Sequence, residues 1–141
     1  MTFVTAIATL LLSQSLTNNE YATIQGELIY PSDYTPAQKV CAEDIFTKKE
    51  YCMETRQEQR SYQLQLPPKT YFVFALACSE SYEKDIVCQD EYLEKRAYYT
   101  DHVICGFTAE CGQITTGTPI PVKVEPGANI LKIDPQNWYS K

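Results

Sequence analysis

Six cysteines, Cys41, Cys52, Cys78, Cys88, Cys105 and Cys111, are the residues whose type and number most clearly promise chemistry. The count is even, no C-x-x-C spacing occurs, and His102 is the single histidine. That pattern points to disulfides rather than to a zinc site or a thiol redox centre, which would need ligand spacing or basic neighbours to lower a thiol pKa. Six cysteines admit about 15 connectivities, and the nearest-neighbour set is the expectation. Cys41 and Cys52 would face each other across a hairpin. Cys105 and Cys111 would cinch the short loop between them, and Cys78 and Cys88 would tie the segment after Cys78 back to a strand end. Each bridge closes a short loop, for which about 2–3 kcal/mol apiece is expected before strain. Paired sulfurs persist in oxidising compartments. The competing reading is six reduced cysteines packed as small hydrophobes.

Other chemistry is thin. A nucleophilic triad needs a nucleophile, a base and an orienting group, and His102 supplies one base without a G-x-S-x-G or similar motif. A sheet-edge histidine is the plainer reading. Asp85, Asp90 and Glu91 could form the carboxylate pair of a glycosidase, yet acidic residues on a loop are usually a solvated surface. The segment from Ser79 to Asp101 holds seven acidic residues against three basic ones. It could offer oxygens to calcium but lacks EF-hand spacing. No catalytic residue, metal ligand or cofactor is therefore assigned. The aromatic residues Tyr82, Tyr92, Tyr98, Tyr99, Trp138 and Tyr139 are the binding candidates, since amphipathic rings stack on sugars and anchor interfaces; equally, they could cap a core.

The chain has 141 residues, 44% of them hydrophobic, enough for one packed core. Its net charge of −6 repels phosphate backbones and anionic membranes, so nucleic acid is not an expected partner. No apolar run approaches the length of a transmembrane helix. Phe3 to Leu12 is an apolar stretch of signal-peptide length followed by small and polar residues. Residues 1–17 are thus read as a leader and 18–141 as a single domain, secreted or periplasmic. The competing reading of the leader is a buried terminal helix or strand.

Strand-like segments run almost throughout, at Tyr21 to Tyr30, Lys39 to Asp44, Glu50 to Thr55, Tyr62 to Leu66 and Thr70 to Cys78. Tyr62-Gln63-Leu64-Gln65-Leu66 has the strict alternation of a half-buried strand. Thr70 to Cys78 is almost continuously apolar and suits a central strand covered on both faces. Gly26 suggests a bulge. A short helix is placed around Glu91 to Ala97, a strand over His102 to Cys105 and a loop over Gly106 to Gly117. Pro119 to Glu125 alternates, and Asn129 to Ile133 would pair back on it. These segments predict an all-β, disulfide-stapled antiparallel sandwich of about seven to eight strands.

The stretch Gly26, Val40-Cys41-Ala42-Glu43, Thr55 and Tyr62 through Ala75 resembles the carboxypeptidase regulatory-like (prealbumin-like, transthyretin-like) β-sandwich modules of secreted proteins. Val122 to Ile130 is similar to the closing hairpin of such modules. Lys69 departs from the glycine usual after the Pro-Pro pair. The resemblance implies a prealbumin-like or immunoglobulin-like sandwich without catalytic residues, acting in folding, attachment or binding. The expected function is a binding or accessory module for a protein partner, with the acidic, tyrosine-rich segment as its surface. A carbohydrate-binding module and an inhibitor of a secreted hydrolase are the alternatives.

Overall fold

A computed structural model of the chain describes residues 20–80, 86–88 and 95–139. The leader, Tyr82, Tyr92 and most of the acidic segment lie outside the described residues. So does the start of the helix placed around Glu91; at its far end Ala97 belongs to a strand.

The fold is all-β. Five strands carry it: β1 (Ala22–Glu27), β2 (Gln38–Asp44), β3 (Glu50–Glu54), β4 (Ser61–Leu66) and β5 (Thr70–Ala77). Among the described residues five two-residue strands complete the set: β6 (Ser79–Glu80), β7 (Ile86–Val87), β8 (Ala97–Tyr98), β9 (Val122–Lys123) and β10 (Asn129–Ile130). One sheet has the order β10-β1-β4, the other β3-β2-β5-β8, with β9 also on β5; β6 and β7 form a separate ribbon. Apart from β10, which lies parallel to β1, every pairing is antiparallel.

The sequence periods explain the layers. β4 alternates exposed and buried without exception, and Tyr62, Leu64 and Leu66 meet Ala22 and Ile24 of β1 on the inner face. From the other sheet, Val40, Ala42, Tyr71, Val73, Ala75 and Ala97 complete the core. β5 is indeed covered on both sides, since Phe74 on its outer face is also fully buried. Gln38 belongs to the inner face as well, and neither its amide nitrogen nor its amide oxygen has a hydrogen-bond partner among the described residues.

Gly26 sits in regular register opposite Tyr62, not at a bulge. A Cβ there would stand 2.1 Å from the Ile133 carbonyl oxygen, so the glycine serves a close backbone approach. The 133–136 segment is fastened at that crossing. The Tyr62 hydroxyl donates to the Ile133 carbonyl, the Glu27 amide to Asp134 Oδ1, and the Ile133 amide to the Gln25 carbonyl. Burial, with the Asp134 carboxylate nearby, raises the Tyr62 pKa well above the usual phenol range.

Lys69 has no positive φ, so the β4–β5 turn uses a geometry that any L-residue adopts. Its ammonium lies 3.5 Å from the buried Asp44 carboxylate. Tyr71 steadies the same turn by donating its hydroxyl to the Pro67 carbonyl, as in a tyrosine corner. Burial, then the neighbouring Tyr51 and Asp44, push its pKa up to about 12.

Three further expectations fail. His102 to Cys105 is not a strand, and 106–117 is not all loop: α1 (Asp101–Cys105) and α2 (Ala109–Ile114) form a helical hairpin. Gly106, at φ 100°, closes α1 by donating its amide to the His102 carbonyl. The Thr108 hydroxyl caps α2 by accepting from the Cys111 amide. These caps outweigh the strand preference of Val103 and Ile104. Nor do β9 and β10 form a closing hairpin. β9 joins β5, while β10 crosses to β1 in the other sheet.

Candidate functional site

The three disulfides are Cys41–Cys52, Cys78–Cys88 and Cys105–Cys111. Cys41 and Cys52 are direct partners in the β2–β3 register, with Cα atoms 4.1 Å apart. Glu50 lies beside them, its carboxylate within 4.8 Å of both sulfurs. Sulfurs bonded to each other offer no thiolate, so this trio is not a metal ligand set in the oxidised chain.

The outer face of the large sheet is where side chains converge. Phe72 and Phe74 of β5 and Tyr98 of β8 share it with Glu43 of β2. The Arg96 guanidinium lies over the Phe74 ring, 4.3 Å from its centroid. It also stands 3.7 Å from Glu43 and 3.8 Å from Glu50, and donates to the Tyr98 hydroxyl at 3.4 Å. The α1–α2 hairpin, stapled by Cys105–Cys111, overhangs this face. Between them lies a cleft of about 780 Å³, lined by Phe72, Tyr98, Phe107 and Tyr139 with Glu43, Lys48, His102, Asn137 and the 116–119 segment.

Local sequence explains how each wall is held. The Asp44 carboxylate accepts from the amides of Phe46 and Thr47, shaping the turn that carries Lys48. These bonds set its pKa below the usual carboxylate value, although partial desolvation works the other way. Asp101 grips the opposite strap, accepting from the Thr116 amide at 2.9 Å, the Gly117 amide at 2.8 Å and the Thr116 hydroxyl at 3.3 Å. The Thr116 amide leads the causes that lower its pKa. Gly117 is needed here: its φ is +75°, and a Cβ would stand 2.7 Å from His102 Nε2. Phe107 at φ 60° and Lys48 at φ 66° are non-glycine residues in the left-handed region, and both line the cleft. Such conformations cost of order 1–3 kcal/mol and gather at binding sites.

The binding candidates separate by strand period. Tyr98 enters the cleft, whereas Tyr99 packs against the core and its pKa is raised by burial. Trp138 is core as well, donating its indole N–H to the Ile29 carbonyl at 2.6 Å and meeting the Tyr30 ring edge-on. Tyr139 is 68% exposed and makes a T-shaped pair with Phe107, centroids 6.0 Å apart. The structure thus brings Tyr98 and Tyr139 together and takes Tyr99 and Trp138 away. Sequence reasoning missed Phe72, Phe107, Glu43, Lys48, Thr116 and Thr118. The glycine–aromatic–threonine run from Gly106 to Thr108 was the one local signal available.

His102 stands on α1, not at a sheet edge. The Thr115 hydroxyl donates to the Cys111 carbonyl, so its contact with His102 Nδ1 has the imidazole as donor. A base must accept from its nucleophile, so Thr115 is not a nucleophile activated by this ring nitrogen.

No helix among the described residues is long and apolar enough to cross a membrane. No family model matches the chain, and no curated protein matches it. Among solved structures, a leucine-rich repeat protein from Bacteroides thetaiotaomicron is similar at 12% identity over 82% of this chain, with a TM-score of 0.41. The chain spans only 13% of that protein's length, and a likeness of that size bears on neither fold nor ligand.

Proposed function

We propose that this chain is a non-catalytic binding module of an exported protein, secreted or periplasmic, built on a carboxypeptidase regulatory-like sandwich. The observation that carries the reading is the convergence of Tyr98, Phe107 and Tyr139 on one cleft over the large sheet. Three disulfides support an oxidising compartment. The β4–β5 turn, which crosses from one sheet to the other with Tyr71 bonded back to Pro67, supports the family resemblance.

A protein partner docking on the rim is favoured by exposed Ile104 and Ile114 on the helical hairpin, 65% and 80% accessible. An inhibitor reading has less support. The segment inside Cys105–Cys111 turns tightly between two helices and does not extend as a plug.

The test is affinity capture from the extracytoplasmic fraction of the source, using immobilised wild-type chain, a Phe107→Ala/Tyr139→Ala variant and a Tyr21→Ala control. Tyr21 is exposed and lies outside the cleft residues. Capture that survives Tyr21→Ala and disappears with the cleft variant supports the reading. Identical capture by all three chains overturns it.

A further inference from the structure

We infer that the cleft binds a neutral oligosaccharide, an assignment that rests on the reading of this cleft as the binding site. Its chemistry selects against other ligand classes. One carboxylate, Glu43, and one ammonium, Lys48, line it, and their formal charges cancel. A charged ligand thus finds no net counter-charge. One common mode of peptide binding adds a strand to a free sheet edge. Here Tyr98 is bridged to β5 on one side and to Asn137 on the other, and Thr100 is bridged to Pro119. The backbone facing the cleft is occupied.

A pyranose ring has apolar C–H faces and a rim of hydroxyls. The cleft offers the matching alternation. Tyr139 and Phe107 present aromatic surface, 68% and 41% exposed, on the hairpin side. The same lining carries a hydroxyl chain whose direction is set. The Asp101 carboxylate can only accept, so the Thr116 hydroxyl donates to it. Thr116 Oγ1 therefore accepts from the Thr118 hydroxyl at 2.8 Å. The Thr118 oxygen, exposed at the cleft, keeps lone pairs for a ligand hydroxyl, strengthened by the charge at the end of the chain. Lys48 supplies a donor and Glu43 an acceptor. The volume of about 780 Å³ lies within the range of roughly 300–1,000 Å³ usual for small-ligand sites and leaves room for more than one sugar.

The test is calorimetric and NMR titration of the disulfide-intact chain with cello-, xylo-, manno-, laminari- and chito-tetraose. Saturable binding of at least one is expected. Tyr139→Ala or Phe107→Ala should weaken it about tenfold or more, near 1.4 kcal/mol. Thr118→Val should weaken it several-fold, Thr118→Ser should restore it, and Tyr21→Ala should leave it unchanged. No saturable binding to any of the five, or binding indifferent to Tyr139→Ala, overturns the assignment. If the sugars fail while partner capture still depends on Phe107 and Tyr139, the binding site stands and its ligand is a protein. If capture is also indifferent, the binding-site reading falls too.

Discussion

Replacing Gln38 with methionine should make this protein more stable, although it removes a polar side chain from the sequence and fills no cavity. The Gln38 side chain is fully buried on the inner face of β2, and both of its amide atoms lack a hydrogen-bond partner among the described residues. The backbone of the same residue is well bonded. Its amide donates to Thr55 Oγ1 at 2.9 Å, and its carbonyl accepts from the Thr55 amide at 2.8 Å. A side-chain substitution leaves those bonds in place. A buried polar group without a partner costs about 1–3 kcal/mol. Methionine is close to glutamine in length and shape and adapts to irregular space. Removing the amide should therefore stabilise the fold by about 2 kcal/mol. For a chain of this size that is roughly 6–10 °C in melting temperature. Urea denaturation of the disulfide-intact protein measures the free energy directly, and calorimetry measures the shift. Gln38→Glu is the companion variant: a carboxyl in the same place must stay protonated to remain buried, so it should destabilise increasingly as pH rises above the carboxylate range. A methionine variant less stable by 1 kcal/mol or more would show that the amide is bonded after all, most simply to an enclosed water, and the reasoning from an orphaned amide would be refuted.

Gly26→Ala should cost about 3 kcal/mol or more, because the new Cβ meets backbone atoms of Ile133 at 2.1 and 2.6 Å and neither strand can yield cheaply; wild-type stability in urea would contradict the close approach. The three bridges close sequence separations of 11, 10 and 6 residues, which by loop-closure entropy amounts to about 2–3 kcal/mol each and roughly 7–8 in all. Full reduction should then remove most of the stability of an ordinary domain, and a melting curve unmoved by a phosphine reductant would overturn the stapled architecture. Asp44 and Asp101 both have folded pKa values below 3.8, so in acid the unfolded chain takes up protons first. Their contribution is complete above about pH 4 and drains as pH falls through the lower folded values; the Thr116 and Gly117 amide resonances should shift over that same acid range, and a pH-independent strap would count against the role given to Asp101.

What could be read from the sequence divides along contact range. β4 was legible because its alternation is enforced by a single buried face, and β5 because two covered faces demand an unbroken apolar run. The bridges were legible because each joins neighbours along the chain, so proximity in sequence stood in for proximity in space. The α1–α2 hairpin was not, because its helices have five and six residues and no buried stripe beyond Cys111, which leaves periodicity nothing to report. Only the caps at Gly106 and Thr108 announce it. β10 was misplaced because Val122 and Val124 are indeed buried in alternation, yet the alternation says which face is buried and not which strand is the neighbour. The site shows the same division. Tyr98 and Tyr99 are neighbours on extended backbone and Trp138 and Tyr139 neighbours in a turn; in each pair one member is turned inward, which residue type alone does not decide. Lys48, Phe107 and Thr118 belong to three separate turns that only the packed sheet brings together, two of them in a left-handed conformation that their residue types do not favour. A cleft assembled from such positions carries no linear motif, and its recognition chemistry becomes legible only once the hairpin is seen to overhang the sheet.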